Sequence, residues 1–333
     1  MKKILLTMLA MVACGAARAI DNNTVEIVYN GTSATVTIAD NISSYVTVSS
    51  GTSSHVKLVQ ASDFAGVDAT TSNDDGEIIY SLKGTSEDGE FYLEGSYKCT
   101  VELNGLELTN PSGPAINIQN GKRVELSAKK GTTNTLADGA NEDYNGCYHC
   151  KGHTKLKGKG TLNVVGNSKH AIYSKEYIEV KNLTLNITGA QKDAIHCKEY
   201  FYMESGTVNI TGAGDDGIQV ELKDTYTGET TDHEDEDTGN FYMEDGTLSI
   251  SGYGSKAVKA DGIISLTGGT QNFDTADITE NALATGIESV KAEGVTDDGT
   301  VEYYDLQGRR SDCPKSGIMV IKSGKTTRKV VIR

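Results

Sequence analysis

From residue 114 to 261 one six-residue phrase recurs at a nearly constant interval, and this constrains the fold of the 333-residue chain more than any other feature. Its copies are Pro114 to Gln119, Gly146 to Lys151, His170 to Lys175, Asp193 to Lys198, Asp216 to Glu221 and Lys256 to Asp261. The starts at 146, 170, 193 and 216 are 24, 23 and 23 residues apart. The intervals from 114 to 146 and from 216 to 256 are longer by 9 and 17 residues, and so carry insertions. A period in this range marks a repeat architecture in which each unit must stack on its neighbours to bury its apolar face.

Each unit continues into a second apolar pattern and a third that ends in Gly, as in Ile178-Glu179-Val180 followed by Leu185-Asn186-Ile187-Thr188-Gly189. Three short alternating segments per repeat, with no helical period, exclude a βαβ unit and predict an all-β solenoid of stacked parallel strands. With 37 Gly and only 3 Pro, the composition suits many short strands joined by turns. Equivalent residues of successive coils then lie about 4.8 Å apart, so the columns of the repeat become ladders in space. Columns three (Ile116, Ile172, Ile195, Ile218, Val258) and five (Ile118, Cys150, Ser174, Cys197, Val220, Ala260) are predicted to face inward, and columns four and six outward.

On this reading residues 1–19 are a signal peptide, 20–85 an N-terminal β region or cap, 86–273 the parallel β-helix, 274–290 a linker and 291–333 a small C-terminal β tail. The leader has Lys2 and Lys3 before an apolar stretch and Ala17-Arg18-Ala19 as the cleavage site. A lipoprotein box ending at Cys14 competes with it. The product is expected to be exported, to the periplasm, the cell surface or the medium, since no later segment has the ~20 apolar residues of a membrane helix.

A formal charge of −15, which becomes more negative on cleavage, repels nucleic acid and makes cations the natural small partners. Cys99, Cys147, Cys150, Cys197 and Cys313 are odd in number and lack a disulfide framework, so they read mostly as core thiols. Cys147, His149, Cys150 and His153 have zinc-like spacing, but an extended strand sends Cys150 inward and His149 outward, so they do not converge. No nucleophile elbow, phosphate loop or catalytic carboxylate pair is present.

Several columns of the repeat could carry chemistry. Asp193 and Asp216 occupy column one on adjacent coils with Asp215 beside them, a set of hard oxygen donors suited to calcium. The alternative is ordinary ion pairing with His170 and Lys256, which flank that column. A second acidic group, Asp232 to Asp237 with His233, reads as a solvated loop. Column four presents His149, Tyr173 and His196, and column six stacks Lys151, Lys175 and Lys198, with Glu176 and Glu199 as countercharges. Rings flanked by cations suit an acidic sugar chain, and a self-stabilised ladder is the competing reading. Outward Thr161, Thr184, Thr207, Thr247 and Thr270 beside Asn163, Asn186, Asn209, Ser249 and Asn272 form a further polar ladder.

The phrases Leu103-Asn104-Gly105-Leu106, Gly113 to Ile118, Gly131 to Gly139 and the repeated Ala-Ile-x-x-Lys and Asp-Asp-Gly-Ile units resemble the bacterial β-helical carbohydrate-binding domain related to polysaccharide lyase family 9. The similarity covers roughly residues 85 to 273. It implies a right-handed parallel β-helix that binds calcium and plant-type, acidic pectic polysaccharide, with Asp193, Asp215 and Asp216 matching the calcium positions. His170, Gly146 and Lys256 replace the family's Asp in other coils, which implies fewer ions. The related lyases use a Lys base beside calcium, a role that Lys175 or Lys198 could mimic. The tail from Tyr303 to Arg333 resembles C-terminal segments of exported Bacteroidetes proteins.

The expectation is therefore a monomeric, non-catalytic binding module. Calcium would sit at Asp193, Asp215 and Asp216, and the polysaccharide on His149, Tyr173, Lys175, His196 and Lys198. A pectate-type lyase and a purely structural adhesion protein are the alternatives.

Overall fold

The computed structural model describes residues 20–49, 53–61, 77–222, 237–280, 301–304, 310–311, 317–323 and 326–332. The leader with Cys14, the acidic residues Asp232 to Glu236 and Cys313 lie outside them.

The chain folds as a parallel β-helix whose wall has three faces. The first stacks strands such as Ile116–Asn120, Gly146–Cys150, His170–Ser174, Ile195–Lys198, Ile218–Glu221 and Val258–Ala260. The second stacks Val124–Ala128, Thr154–Gly158, Ile178–Lys181, Tyr200–Met203, Asn240–Met243 and Ile264–Leu266. The third stacks Thr133–Asp138, Thr161–Gly166, Thr184–Ala190, Thr207–Ile210, Thr247–Ile250 and Thr270–Asn272.

The register follows the repeat. Ile116, Tyr148, Ile172, Ile195, Ile218 and Val258 are consecutive partners on the first face, as are Asn117, His149, Tyr173, His196, Gln219 and Lys259. Strict alternation forces this result, because a one-residue slip would turn every apolar side chain outward. The interior is a continuous column of such residues, in which Phe201 and Phe241 stack at 5.0 Å and 7° and are fully buried. Cys99, Cys147, Cys150 and Cys197 are buried free thiols in the same core. Outside, Asn209 Nδ2 donates to Asn186 and Asn186 Nδ2 to Asn163, each at 2.9 Å, so the Asn column stabilises the stack by side-chain pairing.

Parallel pairing extends past the repeat in both directions. His55–Gln60 pairs in parallel with Glu90–Gly95, and Ile78–Ser86 with Cys99–Asn110. The ladder continues to Ile278–Glu280 at the other end, beyond residue 273. The 12-residue strand Cys99–Asn110 serves two faces and bends at Gly105, whose φ is +76°. The fully buried Asn134 side chain pegs this corner, its Oδ1 accepting the N–H groups of Gly105 and Leu106 at 2.9 and 3.0 Å.

Before the repeat, Thr24–Asn30 pairs in parallel with Ile78–Ser86 and antiparallel with Ser33–Ile38, and its Val25, Ile27 and Tyr29 are buried. Val301–Tyr304, Arg310–Ser311, Gly317–Ser323 and Thr326–Ile332 pair as a four-stranded antiparallel sheet. Among the described residues no helix is long and apolar enough to cross a membrane.

Candidate functional site

The first face carries the residues singled out by the repeat. His149, Tyr173 and His196 stack on three successive coils, with ring centroids 5.2 and 5.5 Å apart and planes within 13° and 26°. Tyr144, from the insertion before Gly146, closes the row edge-on against His149 at 5.4 Å. The three stacked rings are only 7 to 8 % exposed because each covers its neighbour. The ladder therefore offers ring edges and polar atoms, rather than ring faces, to solvent. Lys175 is exposed beside the row, while Lys198 is half-buried with Nζ 3.7 Å from Glu221.

Beneath the row the same coils bring acids and imidazoles together. Asp193 Oδ2 lies 2.8 Å from His196 Nδ1 and 3.3 Å from His170 Nδ1. On its far side His196 Nε2 lies 3.4 Å from Glu221 Oε2. Burial works against a charged His196, but its bonds to Asp193 and Glu221 outweigh burial and raise its pKa. The hydrogen bond from His196, opposed by burial, holds the Glu221 carboxyl down at about 2. Burial, with Lys151 and Lys169 nearby, lowers His149 to about 4, so it is a neutral ring at physiological pH.

Asp193, Asp215 and Asp216 can bring one oxygen each to within 4.8 Å of the others. Asp215 is exposed, whereas Asp193 and Asp216 are buried. The two buried acids also hold the corner of the coil. Asp193 Oδ1 accepts the N–H of Asp216 at 3.0 Å, and Asp216 Oδ1 accepts the N–H of Lys256 at 2.9 Å. Asp216 Oδ2 is buried without a hydrogen bond, 3.6 Å from Lys259 Nζ. The flanking cations therefore act differently from the ion-pair reading: His170 does approach Asp193, but Lys256 meets Asp216 through its backbone and directs its Nζ toward Asp277 at 3.8 Å.

The expected countercharge Glu199 turns elsewhere. Its carboxylate accepts the N–H of Tyr177 at 3.1 Å and meets His153 Nε2 at 3.3 Å. With Glu176 these form another group of potential ligands. His153, Glu176 and Glu199 recur at 23-residue spacing just outside the six-residue phrase, and that spacing was the signal for them. Sequence reasoning passed over Glu221, hidden in a Lys column, and the half-buried Tyr202 and Tyr242 on the second face. The latter line a cleft of about 270 Å³ with Glu244, Ser265 and Thr267.

The family model described as "Carbohydrate-binding domain-containing protein" matches residues 67–308. A carbohydrate-binding domain-containing protein from Acetivibrio thermocellus is 22% identical over 112 residues, which cover 31% of this chain and 39% of that relative. The match thus spans well under two thirds of the relative's length. Among solved structures, the polysaccharide lyase-like protein from C. thermocellum, in its gadolinium derivative, is similar with a TM-score of 0.54 at 19% identity. That likeness covers 77% of this chain and 98% of the other and concerns the fold.

Proposed function

The chain belongs to the family of carbohydrate-binding domain-containing proteins, and from that premise we propose that it binds an acidic polysaccharide along the first face of the helix, assisted by calcium at Asp193, Asp215 and Asp216. The observation that carries this reading is the ladder of His149, Tyr173 and His196 on consecutive coils, flanked by Lys175 and Lys198 and bordered by the Asp corner. A repeated polymer is matched by a repeated surface. The edges of neutral His149 and of Tyr173 supply hydrogen-bonding atoms, and the two Lys supply charge for a uronate. In a strongly acidic protein, a bridging calcium offsets repulsion between chain and ligand. Export to the cell envelope belongs to the same proposal.

The test is calorimetry with polygalacturonate in the presence and absence of calcium. Calcium-dependent binding that is lost in Asp215→Asn supports the reading, because the exposed Asp215 side chain can be changed without touching the buried corner. Binding that ignores calcium removes the ion from the proposal, and absent binding with neutral glycans bound instead removes the acidic ligand. Ultraviolet absorbance of unsaturated product in the same samples, lost in Lys175→Ala or Lys198→Ala, would instead support a lyase.

A further inference from the structure

We propose that His170, Asp193 and His196 form a site for one divalent transition-metal ion of the zinc type, distinct in chemistry from the calcium corner although both would use Asp193. The Nδ1 atoms of His170 and His196 converge on the same oxygen, Asp193 Oδ2, at 3.3 and 2.8 Å. One ligand atom from each of the three residues lies within 4.8 Å of the others. In a tetrahedral zinc site, with bonds of about 2.0–2.2 Å, neighbouring ligand atoms are about 3.3 Å apart. The His170–Asp193 distance already suits such a site, and the His196–Asp193 distance would have to open by about half an ångström to admit the ion.

Two further observations point to a ligand. His170 Nδ1 is buried, in a residue only 7 % exposed, and has no hydrogen-bond partner although it faces the carboxylate. A metal ion in front of it would satisfy that lone pair. His196 keeps its other ring nitrogen 3.4 Å from Glu221, which fixes the ring and strengthens the nitrogen facing Asp193. This carboxylate behind a coordinating imidazole is the supporting arrangement that metal sites use. Two imidazoles and one carboxylate select zinc, cobalt, nickel or copper over calcium or magnesium, which prefer oxygen alone. Three protein ligands leave one position for water. Tyr173 stacks on His196 at 5.5 Å and faces His170 at 6.0 Å, so the ion would brace the ladder from beneath.

The experiment is titration of the metal-free chain with Co²⁺, followed by visible absorption and then by displacement with Zn²⁺. The expected result is one equivalent of Co²⁺ with a ligand-field band, removed by one equivalent of Zn²⁺ and unaffected by millimolar calcium. His170→Gln should abolish the band, and Glu221→Gln should weaken binding about tenfold or more while leaving the ligands in place. Asp215→Asn should leave it unchanged, which separates this site from the calcium corner. In the unaltered chain, Zn²⁺ should also protect two histidines from diethylpyrocarbonate, a readout that does not depend on any variant folding. The proposal is overturned if no band forms, if calcium displaces cobalt, if Asp215→Asn removes the band, or if His170→Gln binds with full affinity.

Discussion

Asp193 accepts the backbone N–H of Asp216, one coil further on, at 3.0 Å through Oδ1, while its Oδ2 faces His196 at 2.8 Å. One buried carboxylate thus ties a corner of the wall to the ring ladder. Asp193→Ala would leave a buried N–H and an imidazole without their acceptor, at a cost of about 3 kcal/mol. Asp193→Asn, which can keep the acceptor at Oδ1, should cost less. Urea denaturation of both variants checks the order, and equal losses would contradict it.

Much of this wall was legible because its information is periodic. The 23-residue spacing and the in-out alternation set which residues become neighbours, so Ile172, Ile195 and Ile218 fall in one inward ladder as expected. Ring orientation is not periodic information. Alternation sends His149, Tyr173 and His196 outward, but their planes are set by contact with one another. The corner bonds of Asp193 and Asp216 were hidden for a related reason, since their partners are backbone N–H groups that every residue possesses. The coil before residue 86 escaped the repeat because Ile78–Ser86 runs through a corner and merges two strands into one.

The inner Phe pair should contribute like any well-packed core aromatic. Phe201→Ala is expected to destabilise the chain by about 3–5 kcal/mol. A double-mutant cycle with Phe241→Leu should show a coupling of about 0.5–1.5 kcal/mol for the stacked pair. Additive losses would mean that stacking contributes nothing beyond burial.

Gly84 has φ +91°, and a Cβ there would lie 2.1 Å from the carbonyl oxygen of Tyr29. Strand Ile78–Ser86 can approach its parallel partner Thr24–Asn30 this closely only with glycine. Gly84→Ala should lower stability by at least about 2 kcal/mol, combining backbone strain with the clash. A thermal melt that does not move would rule out this packing.

Asp138 gives a pH dependence of known sign. Burial, opposed by hydrogen bonds from Asn167 and Ser168, pushes its carboxyl up to about 6 from an ordinary value of 3.8. Because the folded state holds this proton more tightly, the contribution is complete below about pH 4 and is lost as pH rises through 6, by about 3 kcal/mol in all. Asp138→Asn should remove that share of the slope between pH 4 and 7. Stability curves that remain parallel for the two proteins would contradict the assignment.

Whether the saccharide lies on the first face is decided by charge reversal there. Calorimetry with polygalacturonate and calcium should compare the chain with a Lys175→Glu/Lys198→Glu variant and with a Tyr202→Ala/Tyr242→Ala variant of the second face. The expected result is affinity reduced at least tenfold by the Lys reversals and unchanged by loss of the two Tyr. Binding that survives the Lys reversals but disappears with Tyr202 and Tyr242 would exclude the first face and move the saccharide to the second.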